Sequence, residues 1–125
     1  VQSLWEHVSA NGRNFTNMPT YYIAAPALVS PANGATLTGT SVTFEWNPVE
    51  GAVNYRLMVS TSSDILNQTA MKTVVDLGTA TTYVDTDYPD VCIYYWWVSA
   101  YGADGSQSLL WEVSANRRWF YFSGG

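Results

Sequence analysis

The sequence predicts an all-β domain, an antiparallel two-sheet β-sandwich, preceded by an extended N-terminal strand arm. Three observations carry that prediction. Apolar and polar residues alternate with a period of two in several runs of strand length. Those runs are separated by Gly, Pro, Asn and Asp clusters at regular spacing, the mark of a sandwich or barrel. No apolar pattern holds the helical period for long enough to predict a helix.

Taken in order, the strands begin after Ala27. Pro31-Ala32-Asn33-Gly34 is a turn, because Asn and Gly tolerate positive φ. Ser41 to Asn47 then alternates, with Val42, Phe44 and Trp46 on one face and Thr43, Glu45 and Asn47 on the other. Asn47 to Gly51 ends that strand. Asn54 to Thr61 alternates again, placing Tyr55, Leu57 and Val59 inward and Asn54, Arg56 and Met58 outward. A polar stretch from Ser60 to Ala70 loops out before a strand through Lys72 to Leu77, and Thr81 to Val84 is short and β-prone. Tyr88-Pro89-Asp90 turns the chain into its strongest strand, Cys92 to Tyr101. Ala103-Asp104-Gly105 signals a hairpin, and Ser108 to Phe122 supplies a last extended segment.

The quoted series Pro31 to Gly34, Val42-Thr43-Phe44-Glu45-Trp46, Ala52-Val53-Asn54-Tyr55-Arg56-Leu57 and Tyr94-Tyr95-Trp96-Trp97-Val98-Ser99-Ala100, with Gly105 and Ser106 later, resembles the fibronectin type III-like (Ig-like) domains of bacterial secreted and surface proteins. The resemblance covers about the last hundred residues, the usual length of such a sandwich. It implies a fold that serves adhesins, enzyme spacers and filament subunits alike, so function must be read from particular residues. It also marks a departure, since members of that family commonly carry a charged residue where Trp97 stands.

The two ends of the chain repeat one another. Gln2-Ser3-Leu4 matches Gln107-Ser108-Leu109, Val8 to Asn11 matches Val113 to Asn116, and Arg13 and Phe15 match Arg118 and Phe120, all at a constant offset of 105. Nine of fifteen aligned positions are identical, where unrelated segments would share about one. If the later copy is the last strand of the sandwich, the earlier one is a strand without a sandwich before it. The domain division is therefore an arm over 1–16, a linker over 17–26 containing Pro19 and Pro26, and a sandwich over 27–125. The arm could belong to a preceding domain of a tandem array. It could instead add to a neighbouring subunit's sheet, since a lone strand leaves backbone groups unpaired, or fold onto its own domain's edge. Head-to-tail pairing between subunits does not close and produces a filament. Leu4, Trp5, Val8 and Phe15 are the arm residues expected to make that contact.

Alternation in the Cys92–Tyr101 strand puts Tyr94, Trp96, Val98 and Ala100 inward, and Tyr95, Trp97, Ser99 and Tyr101 on the other face. Outward rings are costly in a free monomer, so Tyr95, Trp97 and Tyr101 are expected to receive a subunit or lie against glycan. Trp111 and Trp119 to Phe122 add apolar area. Asn14-Phe15-Thr16 and Asn67-Gln68-Thr69 are N-glycosylation sequons in the predicted linker and loop, and the hydroxyls of Thr36, Thr38, Thr40 and Ser41 are candidates for O-linked sugar.

Composition narrows the setting. The chain is 47% hydrophobic and carries a net charge of −5, yet only 12% of its residues are charged, about half the roughly 25% usual in soluble domains. Lys72 is the only lysine, and Thr, Ser and Asn fill the polar positions. That surface suits the cell exterior. No basic cluster exists beyond Arg117-Arg118, so nucleic acid is not an expected partner. No apolar run approaches membrane-spanning length. The first residues lack the pattern of a leader, so a secreted form is expected to have lost one. Cys92, the only cysteine, cannot form an internal disulfide and is expected as a small hydrophobe heading its strand. Asp85, Asp87 and Asp90 share a loop, but without the glycine and terminal glutamate of a calcium loop they read as an acidic turn. His7 is the only histidine, and no nucleophile elbow, phosphate loop or metal spacing is present. Neither enzyme activity nor a metal or other cofactor is expected. The function predicted is a structural subunit of an extracellular filament or stalk, partnered by other copies of itself and bearing glycans. The alternative is a carbohydrate-binding or spacer module of a larger secreted enzyme.

Overall fold

The structure, a computed structural model, describes residues 22–124. Eight strands form two sheets: β1 (Leu28–Ser30), β2 (Ala35–Leu37), β3 (Ser41–Trp46), β4 (Ala52–Ser60), β5 (Met71–Asp76), β6 (Thr82–Thr86), β7 (Cys92–Gly102) and β8 (Arg118–Phe122). One sheet has the order β1-β3-β6 and the other β2-β8-β7-β4-β5. All pairings are antiparallel except β2 with β8. The all-β sandwich predicted from alternation is the observed fold.

The alternating strands place their side chains as their patterns require. Val42, Phe44 and Trp46 of β3 are buried, as are Tyr55, Leu57 and Val59 of β4 and Tyr94, Trp96, Val98 and Ala100 of β7. Phe120 and Phe122 of β8 join them in one core between the sheets. Aromatic rings bridge the layers, with Phe44 4.9 Å from Trp96 and 6.0 Å from Phe120. Cys92 heads β7, half-buried against this core.

An ion pair also joins the two layers. Lys72 of β5 lies in the five-stranded sheet and Asp85 of β6 in the three-stranded one; their charged atoms are 3.1 Å apart and largely buried. Asp85 Oδ2 further accepts from Thr73 Oγ1 at 2.8 Å and Tyr88 Oη at 2.8 Å. Lys72 Nζ also donates to the Thr86 carbonyl and lies 3.9 Å from the centre of the Tyr88 ring. Burial, followed by the hydrogen bond to Asp85, pushes the Tyr88 phenol far above its ordinary value. The first carboxylate of the acidic turn is thus an internal clasp rather than a solvated charge.

Two expectations need correction. Ser108 to Phe122 is not one extended segment, because helix α1 (Leu110–Asn116) interrupts it before β8. This helix is too short for periodicity to reveal: it has seven residues, buries only Val113 and has no side-chain cap at its start. The second correction concerns the linker. Its described part, residues 22–26, packs on the sandwich. Tyr22 forms a β-bridge with Gln107, Ile23 N donates to Gln107 O, Ala25 N donates to Glu112 Oε1, and Ala25 and Pro26 are buried.

Candidate functional site

The segment from Gln107 to Phe122 is bound to the rest of the fold at each step. Ser108 Oγ accepts from Ala100 N at 2.9 Å and reaches the Ala24 carbonyl at 3.3 Å. One helical turn on, Val113 inserts beside Trp97 and Ala25 in a second buried cluster. Arg118 Nη1 then donates to the carbonyls of Val29 and Pro31, at 2.8 and 3.0 Å. Phe120 enters the main core, 5.7 Å from the ring of Tyr94. Finally, β8 is hydrogen-bonded to β7 on one side and β2 on the other.

The terminal repeat acquires a physical meaning against this segment. Within 107–120 the buried residues are Ser108, Val113 and Phe120, and all three recur, as Ser3, Val8 and Phe15, whereas the buried Ser106 and Phe122 on either side align with Val1 and Asn17. Arg118, the clip to the end of β1, recurs as Arg13. Positions where the copies differ include the exposed Leu110, Trp111 and Trp119. The buried positions of 107–120 are all identical, whereas two hydrogen-bonding side chains, Glu112 and Arg117, are replaced by His7 and Gly12, and the exposed Gln107 and Ala115 are kept. The element copied is a helix leading into a strand, not the uninterrupted strand predicted. The arm residues Leu4, Trp5, Val8 and Phe15, and the sequon at Asn14, lie outside the described residues.

Trp97 is not a surface for subunits or sugars. It is 1% exposed, covered by Val113 and Ala25, with Met58, Ile65, Met71 and Tyr95 packed around the cluster. Its position on the outward face of β7 was legible; the helix that covers that face was not. Tyr95 and Tyr101 are half-buried. The Arg56 guanidinium stands 5.2 Å from the centre of the Tyr101 ring and bonds Asp76 at 2.8 Å. Tyr95 keeps a partly open face and is paired across strands with Trp119.

Exposed aromatic area lies elsewhere, at Tyr22, Trp111, Trp119 and Tyr121. A groove of about 270 Å³ runs between Tyr95 and Trp119, with Arg117, Arg118, Asn33 and Ser114 around it. Sequence reasoning marked Trp119 as apolar area; its meeting with both arginines depends on the turn of α1 into β8. Asn67 begins a short 3-10 turn (Gln68–Ala70), and its Oδ1 accepts from Thr69 N and Thr69 Oγ1. Thr36, Thr38, Thr40 and Ser41 are all exposed.

Among the described residues there is no group of three or more His, Cys, Asp or Glu placed to hold a metal ion, and no helix is long and apolar enough to cross a membrane. No family model matches the chain, and no curated protein matches it in sequence. Solved structures do. An Fn3-like protein from Clostridium thermocellum is similar at 26% identity and a TM-score of 0.52, over 82% of this chain and 96% of that one. The fibronectin type III domain of human fibronectin type III domain containing protein 3 is similar at 17% identity and a TM-score of 0.52, over 87% and 94%. The fold is a fibronectin type III-like β-sandwich.

Proposed function

We propose that this chain is a non-catalytic structural module, one link in a chain of fibronectin type III-like sandwiches forming a stalk or filament at the cell exterior. The observation that carries the reading is the match between the terminal repeat and burial. Every buried residue of 107–120 recurs in 2–15. A segment with these residues is suited to a seat like the one α1 and β8 occupy. Ser3 would fill the place of Ser108 against the β7 backbone, Val8 that of Val113 over a tryptophan, Arg13 the β1 clip, and Phe15 a core position.

The seat on this sandwich is already filled by its own β8, hydrogen-bonded on both sides. The seat for 2–15 would then belong to a preceding module, covalently joined, and no strand would have to be displaced. Assembly of separate subunits by strand pairing is the other form of the same chain of sandwiches, and it requires either exchange of β8 or addition at an outer strand. The extracellular setting draws support from the low charge content and the hydroxyl-rich surface. Asn67 and Asn14 are the proposed glycan sites. A spacer role in a larger secreted protein fits the same module; carbohydrate binding through Trp97 does not, because that ring is buried.

A two-module protein tests the reading: residues 17–105 joined directly ahead of residues 1–125, which preserves the 105-residue period. The upstream sandwich should unfold cooperatively, and amides of residues 8–17 ahead of the second module should be more protected from hydrogen exchange than the same amides in the 125-residue chain. An unfolded upstream half with no gain in protection at those amides would sink the tandem form. Sedimentation of the single chain separates the two forms of assembly, since a monomer is expected from the covalent form and open-ended polymers from strand exchange.

A further inference from the structure

The groove beside Trp119 combines features that the terminal repeat does not explain. Its aromatic walls are Tyr95 and Trp119, opposite one another on β7 and β8. Gly34, at φ +83°, lies against the Trp119 indole, where even a Cβ would come within 3.4 Å of the ring, so the turn supports that ring from one side. Arg117 and Arg118 follow the end of α1, and among the described residues no carboxylate lines the groove. Two of the chain's five Lys and Arg residues therefore meet here, in a protein of net charge −5.

The guanidinium groups are held in place by the backbone. Arg117 Nη1 donates to Ser114 O and Ser114 Oγ, each at 2.8 Å, and Arg118 Nη1 is fixed by the Val29 and Pro31 carbonyls. Each is anchored through one nitrogen and carries further N–H groups that no described residue accepts. A guanidinium fixed in this way loses little side-chain entropy on meeting a planar anion, and its fork geometry suits a carboxylate. Asn33 is likewise fixed, its Oδ1 accepting from Trp119 N at 3.0 Å, which leaves its amide N–H groups as donors.

We propose that this groove binds an acidic saccharide, a uronate-type unit of a polyanionic polysaccharide. The apolar C–H face of the sugar ring lies on the indole of Trp119 and the ring of Tyr95, Arg117 and Arg118 take the carboxylate, and Asn33 and Ser114 take hydroxyls. Each part of the ligand is needed to account for the groove. A free phosphate or sulfate has no apolar face for the rings, and a neutral sugar leaves the paired guanidiniums without an anion. An acidic peptide offers carboxylates but no ring with stacked C–H groups. The groove is shallow and open, so a single unit binds weakly.

The test is an NMR titration of the 125-residue chain with trigalacturonate, its uncharged methyl ester and a hexaglutamate peptide. Trigalacturonate should shift the Trp119 indole N–H and the Arg117 and Arg118 Nε–H signals. The ester should bind at least about tenfold more weakly, because both guanidiniums lose their anion. Trp119→Ala and Arg117→Gln should each reduce affinity by about fivefold or more, with the signals of Val113 and Trp97 unmoved. Equal binding of the ester or of hexaglutamate overturns the assignment, as does any response confined to residues outside the groove, or none at about 10 mM ligand. If Trp119→Ala fails to fold, Tyr95→Leu on the opposite wall and the three-ligand comparison on the unaltered protein give the same decision.

Discussion

Trp96 and Trp97 are neighbours in β7 and almost equally buried, at 0% and 1% exposed, yet they belong to different parts of the molecule. Trp96 faces the three-stranded sheet in a core whose buried residues come from five strands. Trp97 faces the other way, under one short helix and the segment before β1. The five-stranded sheet is thus a middle layer, with its inner face covered by a whole second sheet and its outer face by one short helix and the segment before β1. Burial alone does not distinguish the two rings. What distinguishes them is how much of the chain has to come apart before each is exposed.

Truncating each ring breaks that comparison most directly. Trp96→Ala should cost about 4 kcal/mol and lower the urea midpoint of the whole sandwich, since its cavity opens between the sheets. Trp97→Ala removes a ring of the same size and should show its largest effect locally. Hydrogen exchange should report loss of protection in α1 and in Tyr22–Ala25 while β3, β4 and β7 stay protected. Uniform loss of protection across all strands in Trp97→Ala would show that the two faces form one cooperative unit.

The same division decided what could be read from sequence. Strands with one face on the inter-sheet core alternate clearly, and β3, β4, β5 and β7 fall within one or two residues of their predicted bounds. Their inward residues were legible because period-two alternation is a direct consequence of the pleat. The outer face was not legible. Burying Trp97 requires α1, and α1 contributes one buried residue in seven, too few to generate a period. The expectation that Trp97 was free followed from missing its cover. The clasp at Asp85 was hidden for a related reason: its partners Lys72 and Thr73 lie twelve or more residues away and meet it only when the two sheets stack. In the terminal repeat the similarity itself was visible from sequence. Which of its identities mattered required knowing that Ser108, Val113 and Phe120 are its buried residues.

Charge offers a second, smaller version of the inside and outside contrast. The Lys72–Asp85 pair spans the two sheets with side chains 14% and 8% exposed, whereas Arg56–Asp76 joins adjacent strands with side chains 39% and 53% exposed. Lys72→Met leaves the Asp85 carboxylate buried without its cation and should destabilise the fold by about 3 kcal/mol in urea denaturation. Combining it with Asp85→Leu should recover much of that loss, because removing both charges also removes the desolvation cost. A cost below about 1 kcal/mol for Lys72→Met would place the clasp among ordinary surface pairs.

The exposed pair sets the lower end of the scale. Its hydrogen bond from Arg56 holds Asp76 below the ordinary carboxylate value. A carboxyl lowered in the folded state stabilises above its unfolded value, and that contribution disappears as pH falls through the lowered value. The loss should therefore begin near about pH 4 and continue downward. Solvent screens the pair, so Arg56→Gln should cost only about 0.5 kcal/mol at neutral pH. Melting curves of the parent and Arg56→Gln should differ at pH 6 in low salt and converge toward pH 2. The difference should also shrink at about 1 M salt, where screening acts within about 3 Å. A gap that persists at pH 2 would mean that Arg56 stabilises through its contact with Tyr101 rather than through Asp76, since the cation over that ring does not require an ionised carboxylate.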